Sequence, residues 1–177
     1  MKKNLYIWQF GAFAITSFLG TILHYLYDWT DKSIFIAPFS AVNESTFEHM
    51  KLLYFPLLIF AVFQSFFFKE VENFWCIKLK GALLGLILIP IIFYTLNGCF
   101  GKTPDFINIS IFFIADAVLC LFETKLFKQN KPSLTTNKFC FFIFLFIGII
   151  FVVLTFFTPK LPVFRDPINL TYGFFEK

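Results

Sequence analysis

The chain has 177 residues, of which 58% are hydrophobic, 23% aromatic and only 15% charged, with a formal net charge of +4. An ordinary soluble domain carries roughly 25% charged residues, and at a mean hydropathy of +0.76 a water-soluble fold of this size could not bury so much apolar surface. A soluble enzyme, a disordered chain and a secreted disulfide scaffold are thereby excluded. Nucleic-acid binding is excluded too, because the lysines are scattered rather than gathered into a patch. The composition reads as an all-α, polytopic helix bundle in the cell membrane, with the lipid bilayer as its main partner.

A membrane-crossing helix needs about 20 mostly apolar residues. Five such stretches occur, and the helices built on them are expected over about 5–26, 45–68, 80–98, 106–126 and 138–157. They form a single transmembrane domain spanning 1–177, with a long loop at 27–44 and a tail at 158–177. The first stretch resembles a signal peptide, with Lys2 and Lys3 ahead of it and Ala12-Phe13-Ala14 imitating a cleavage site. Its apolar run continues well past that point, so it reads as a retained helix. Gly81 and Gly85 form a G-x-x-x-G that would allow a close helix contact. Cys76, Cys99, Cys120 and Cys140 form no C-x-x-C and have no neighbouring histidine, so they read as small apolar residues. The 31 Phe residues beside a single Arg look like the codon bias of an AT-rich genome, and the expected origin is bacterial.

Orientation follows from the lysines, because positively charged loops stay in the cytoplasm. Lys2, Lys3, Lys69, Lys78, Lys80, Lys125, Lys128, Lys131 and Lys138 fall on one side, opposed only by Glu70, Glu72 and Glu123. The other side holds both histidines and most of the acids. The N-terminus is therefore expected inside and the C-terminus outside, with any chemistry at the outer face.

The richest outer segment is Val42-Asn-Glu-Ser-Thr-Phe-Glu-His-Met-Lys51, which runs into the second apolar stretch. Ser45 followed three residues later by Glu48 is a capping box, and Lys51 is expected at the headgroup level. Capping accounts less well for Asn43, Glu44 and His49. His24 and Asp28 at the end of the first helix repeat the pairing of imidazole and carboxylate at i, i+4 spacing. The two histidines, the only ones in the chain, are expected at comparable depth. Neutral imidazoles with carboxylates suit a divalent transition metal such as zinc. In that reading His24, His49 and Glu48 bind the metal, Glu44 and Glu48 supply general-base chemistry, and Asn43 or Arg165 orients the substrate beside Asp28 and Ser45. No H-E-x-x-H is present, so the metal site depends on the two helices packing together.

Asp116 falls within the fourth stretch among apolar neighbours, where a carboxylate costs about 2.5–3.5 kcal/mol on insertion scales. Thr16, Ser17 and Gln64 are its candidate neutral partners. A protonated, hydrogen-bonded Asp is the simpler reading, because no other acid or base is expected at that depth to continue a relay. The tail beyond Thr158 is too rich in proline to be helical. It is expected to dock on the outer face, with Arg165 pairing to Glu44 or Glu48.

These residues carry a resemblance: His24-x-x-x-Asp28, the block from Val42 to Leu52 continuing to Pro56, and Pro162-Val-Phe-Arg-Asp-Pro167 with Tyr172-Gly173. The combination resembles a family of small bacterial integral membrane proteins of unknown function. The Asn-Glu-Ser-x-x-Glu-His block is its most specific part, with Phe47 standing where the family usually has Trp. The resemblance supports membrane location and the choice of sites, and implies no reaction.

Three functions remain open, and whether the protein is an enzyme at all is among the open questions. One is a metal-assisted membrane hydrolase or transferase acting on a lipid-linked or small substrate. Another is a small transporter, or a subunit of one, using Asp116 and the outer cluster, which with five helices would need a homodimer or a partner. The third is a structural or accessory protein.

Overall fold

The structure is a computed structural model that describes residues 2–101, 103–129 and 135–176. Lys131, assigned to the lysine-rich side, lies outside the described residues. Among the described residues five helices occur: α1 (Lys2–Trp29), α2 (Thr46–Ser65), α3 (Phe74–Phe100), α4 (Asp105–Gln129) and α5 (Asn137–Phe156), followed by a short 3-10 turn at Pro162–Phe164. All five are long and apolar enough to cross a membrane, and the described residues contain no strand beyond an isolated bridge between Arg165 and Tyr172.

Local chemistry sets the helix ends. Ser45 caps α2 by accepting the Glu48 amide, and Thr136 caps α5 by accepting that of Phe139, each satisfying a first-turn donor that has no helical partner. Gly101, at φ +76°, stops α3 in a conformation that few other residues adopt.

Successive helices run antiparallel. Ser17 meets Asp116 while Tyr6 meets Lys128, which sets α1 against α4, and Tyr54 of α2 donates to the Phe144 carbonyl of α5. Glycines mark the tightest crossings. A Cβ on Gly20 would lie 2.8 Å from the Leu52 carbonyl oxygen, and one on Gly85 2.8 Å from Leu119 of α4. The G-x-x-x-G of α3 is thus its contact face with α4.

The bundle holds polar groups within a mainly apolar core and exposes large apolar side chains on its outside. Gln9, Thr16, Ser17, Gln64, Asp116 and Glu123 are buried, whereas Phe10, Phe18, Ile59, Phe142 and Phe146 are exposed. Two expectations fail here. Lys78 does not lie in a loop, because α3 begins at Phe74, and Glu123 lies inside α4, as the expected 106–126 span has it, rather than among the loop charges with which it is counted. They form a fully buried 2.6 Å ion pair, so each neutralises the charge that marked the other as a loop residue. Cys76 and Cys140 are not independent apolar residues either. They form a disulfide joining the first turns of α3 and α5, with 4.9 Å between Cα atoms. Sequence spacing could not show this, because the two positions are 64 residues apart and meet only through packing.

Candidate metal centre

At the end of the bundle where α1 finishes and α2 begins, the connecting loop is pinned by side chains rather than by regular structure. Ser40 accepts the Tyr27 amide at 2.9 Å and donates to the Leu23 carbonyl, tying the loop to the last turns of α1. From the other side Lys51 reaches up to the Ala37 carbonyl at 2.8 Å and across to Thr155 Oγ1 of α5 at 3.0 Å. Glu48 accepts the Val42 amide at 2.9 Å and pairs with Lys51 at 2.7 Å. Asn43 Oδ1 accepts the Ser45 amide at 2.9 Å, a local turn typical of Asn. Between these two anchors the intervening residue, Glu44, projects from the loop.

Glu44 reaches both histidines. One carboxylate oxygen lies 3.8 Å from His24 Nε2 and the other 3.6 Å from His49 Nε2. The two imidazole rings are 5.6 Å apart between centroids. His49 Nδ1 bonds the Ser45 carbonyl at 3.0 Å. That contact assigns the proton to Nδ1 and leaves the Nε2 lone pair free, the arrangement typical of a metal-ligating imidazole. His24 has a buried Nδ1 without a hydrogen-bond partner among the described residues.

One ligand atom from each of the three residues falls within 4.8 Å of the others. Two atoms each about 2.1 Å from a tetrahedral zinc are roughly 3.4 Å apart, so small rotations of exposed rotamers would close the set. The three residues lie in the wall of a cavity of about 310 Å³. Its other walls are apolar, from Ile89, Phe93, Ile109 and Phe112, with one polar ledge of Asn97, Thr103 and Asn108. The ledge is ordered by Thr103, which donates from its amide to Asn97 Oδ1 at 3.1 Å and from its hydroxyl to Asn108 Oδ1 at 2.8 Å.

The structure therefore brings together His24, His49 and Glu44, and leaves the other expected site residues elsewhere. Glu48, expected as ligand and base, is committed to Lys51 and has no free face toward the histidines. Lys51 is fully buried rather than at a headgroup, because Glu48 and the Ala37 carbonyl replace its water. Asp28 is exposed and outside the cluster. Asn43 and Ser45 hold the loop and the helix start. Arg165 is exposed, and only its backbone is engaged, with Tyr172. Asp116 lies elsewhere in the interior, bonded to Ser17 at 2.9 Å and contacted by the Cys120 thiol at 3.7 Å.

The residue overlooked is Asp166. Buried at 1% exposure, it accepts the amides of Ile168 and Asn169 at 2.7 and 3.2 Å, and its other oxygen lies 3.5 Å from the Glu44 amide. It folds the tail into a turn and ties it to the loop that carries Glu44. The Asp166-Pro167-x-Asn169 string is a turn signal that could have identified it. Further along, the exposed Lys160 and Glu176 pair at 2.9 Å, and their hydrogen bond raises the lysine and lowers the carboxyl from their ordinary values.

No curated protein and no solved structure matches this chain. A family model matches residues 1–174, nearly the whole length. The chain belongs to the family of unknown function DUF6512.

Proposed function

We propose that this protein is a multi-pass membrane enzyme with a divalent metal centre, best suited to zinc, held by His24, His49 and Glu44 at its extracytoplasmic end. The observation that carries this reading is the convergence of two imidazole Nε2 atoms on the two oxygens of one carboxylate, in the wall of a cavity large enough for a substrate group. Two neutral nitrogens and one carboxylate are a catalytic zinc set that leaves a coordination position open. A metal there would supply Lewis acidity and a nucleophilic water near neutral pH. The reaction class that fits is hydrolysis or group transfer. Glu48 is engaged elsewhere, so Glu44 is the carboxylate that would hold the ion.

The cavity walls support an amphiphilic substrate. Ile89, Phe93 and Ile109 offer an apolar surface, and Asn97, Thr103 and Asn108 form one polar ledge in it. The exposed apolar exterior of the bundle supports insertion in lipid, which would let such a substrate enter from the bilayer. The lysine distribution supports a cytoplasmic N-terminus and places the histidine end outside. The Cys76–Cys140 bridge lies at the opposite, lysine-rich end, where a cytoplasm would keep the pair reduced. In the proposed orientation the pair is therefore expected as free thiols in the cell, and a bridge retained there would favour the reverse orientation.

The test is metal analysis of protein purified without chelator. Stoichiometric zinc in the wild type, lost in His24→Ala, His49→Ala and Glu44→Gln, is the expected result. Equal metal content in wild type and all three variants would refute the assignment.

A further inference from the structure

The metal centre does not account for the polar interior at the other end of the bundle. Buried side chains there are poorly satisfied: both amide atoms of Gln64 and the Thr16 hydroxyl have no hydrogen-bond partner among the described residues, and Gln9 and Glu123 make only a long contact with each other. Their residues are at most 4% exposed. Depth along the bundle relates them. Gln9 lies beside Glu123, whose second oxygen holds Lys78 at 2.6 Å. Trp8 packs against Phe60, Phe63 and Phe67, which brings the Gln64 turn of α2 level with Gln9. Each of α1, α2, α3 and α4 thus contributes one polar residue to a single layer: Gln9, Gln64, Lys78 and Glu123. Asp116, with Ser17, lies two turns further along α4, and Cys120 occupies the turn between.

An orphaned buried polar group bears the full cost of lost hydration, and the usual partner inside a protein is ordered water. Ordered water would complete the hydrogen bonding of such a layer. Toward the metal end the surroundings change: Phe112, one turn from Asp116, lies against Gly20 and lines the cavity of the metal centre. An aromatic ring therefore separates the two sites.

We propose that Asp116 is a proton-exchange site, reached by water through the Gln9–Gln64–Lys78–Glu123 layer from the end of the bundle that carries the Cys76–Cys140 bridge. The ligand is a proton. It leaves the Asp116 carboxyl O–H for the water chain, and the remaining carboxylate is held by the Ser17 hydroxyl and the Cys120 thiol. Charged and titratable groups face it from α3 as Lys78 and from α4 as Glu123 and Cys120. Those from α1 and α2 are the neutral Ser17, Thr16, Gln9 and Gln64. One carboxylate is in excess over the single lysine, and the proton neutralises it.

Infrared difference spectroscopy of the protein in liposomes tests this. A protonated-carboxyl band should grow as pH falls, disappear in Asp116→Asn and shift in Ser17→Ala, which keeps the carboxyl if the first variant does not fold. On transfer to deuterated buffer the band should exchange rapidly, and the Gln9→Leu/Gln64→Leu double variant should slow that exchange at least tenfold. A band that is constant across pH, or exchange that the double variant leaves unchanged, overturns the proposal. So does a midpoint that follows sodium concentration, which would give the site to a metal cation.

Discussion

Glu48 and Lys51, one turn apart at the start of α2, form a 2.7 Å ion pair in which neither side chain has solvent access beyond 1%. The pair also holds the loop, through Val42 on the carboxylate and Ala37 on the ammonium. Glu44, four residues before Glu48 and half exposed, is free to face the histidines. Two glutamates in one motif therefore have separate work. Glu48→Gln or Lys51→Met alone should lower stability by about 3–5 kcal/mol, because each leaves a buried charge unpaired. The Glu48→Leu/Lys51→Met double variant should recover much of that loss. Thermal melts in detergent measure it, and Glu44→Gln should leave the metal-free melting temperature unchanged while abolishing metal binding.

Ser45 serves the site through its backbone and the helix through its hydroxyl. Its carbonyl fixes His49 Nδ1 at 3.0 Å and its Oγ caps the Glu48 amide. Ser45→Ala should cost about 1 kcal/mol of stability, and Ser45→Asp should restore most of it. Metal affinity should fall in the alanine variant and return in the aspartate one, because a frayed first turn releases the carbonyl that orients His49.

Glycine substitutions should separate tight crossings from open positions. A Cβ on Gly81 would come within 2.5 Å of Glu123 Oε1, whereas one on Gly98 meets nothing within 4 Å. Glu123 is held by Lys78 and cannot swing aside without breaking the ion pair. Gly81→Ala should destabilise by about 1–3 kcal/mol, and Gly98→Ala should stabilise by about 0.5–1 kcal/mol through helix propensity. Denaturation of the two variants side by side gives opposite signs.

The four cysteines report on both redox state and orientation. Cys76 and Cys140 are bridged, Cys120 is buried and Cys99 is exposed near the metal end. In the folded protein a maleimide should label Cys99 alone; in denaturant it should label Cys99 and Cys120, and two further thiols only after reduction. Replacing the bridged pair by serine should cost about 2–4 kcal/mol in oxidised protein. Applied to intact cells, an impermeant maleimide should reach Cys99, and protection of Cys99 there would reverse the proposed orientation.

Much of the helical content was legible because membrane-length apolar runs need no tertiary partner to be recognised. The start of α3 was not, since Lys78 looks like a loop charge until Glu123 supplies its counter-ion. The same logic divides the site. His24, Glu44 and His49 were identifiable by type and by their place at neighbouring helix ends, but the choice between Glu44 and Glu48 as the ligand was not. Spacing alone puts both carboxylates near His49. The decision lies with Lys51, which claims Glu48 because Ala37 and Thr155 complete its shell.

By itself, then, the sequence determined that the protein is a set of five apolar helices with its histidines and acids gathered toward one end, because hydropathy and residue type act locally. Only the tertiary structure decided which charges cancel in pairs, which cysteines join, and which carboxylate is left facing the two imidazoles. Those outcomes depend on distances between residues far apart in the chain, set by how glycine-marked helix faces pack.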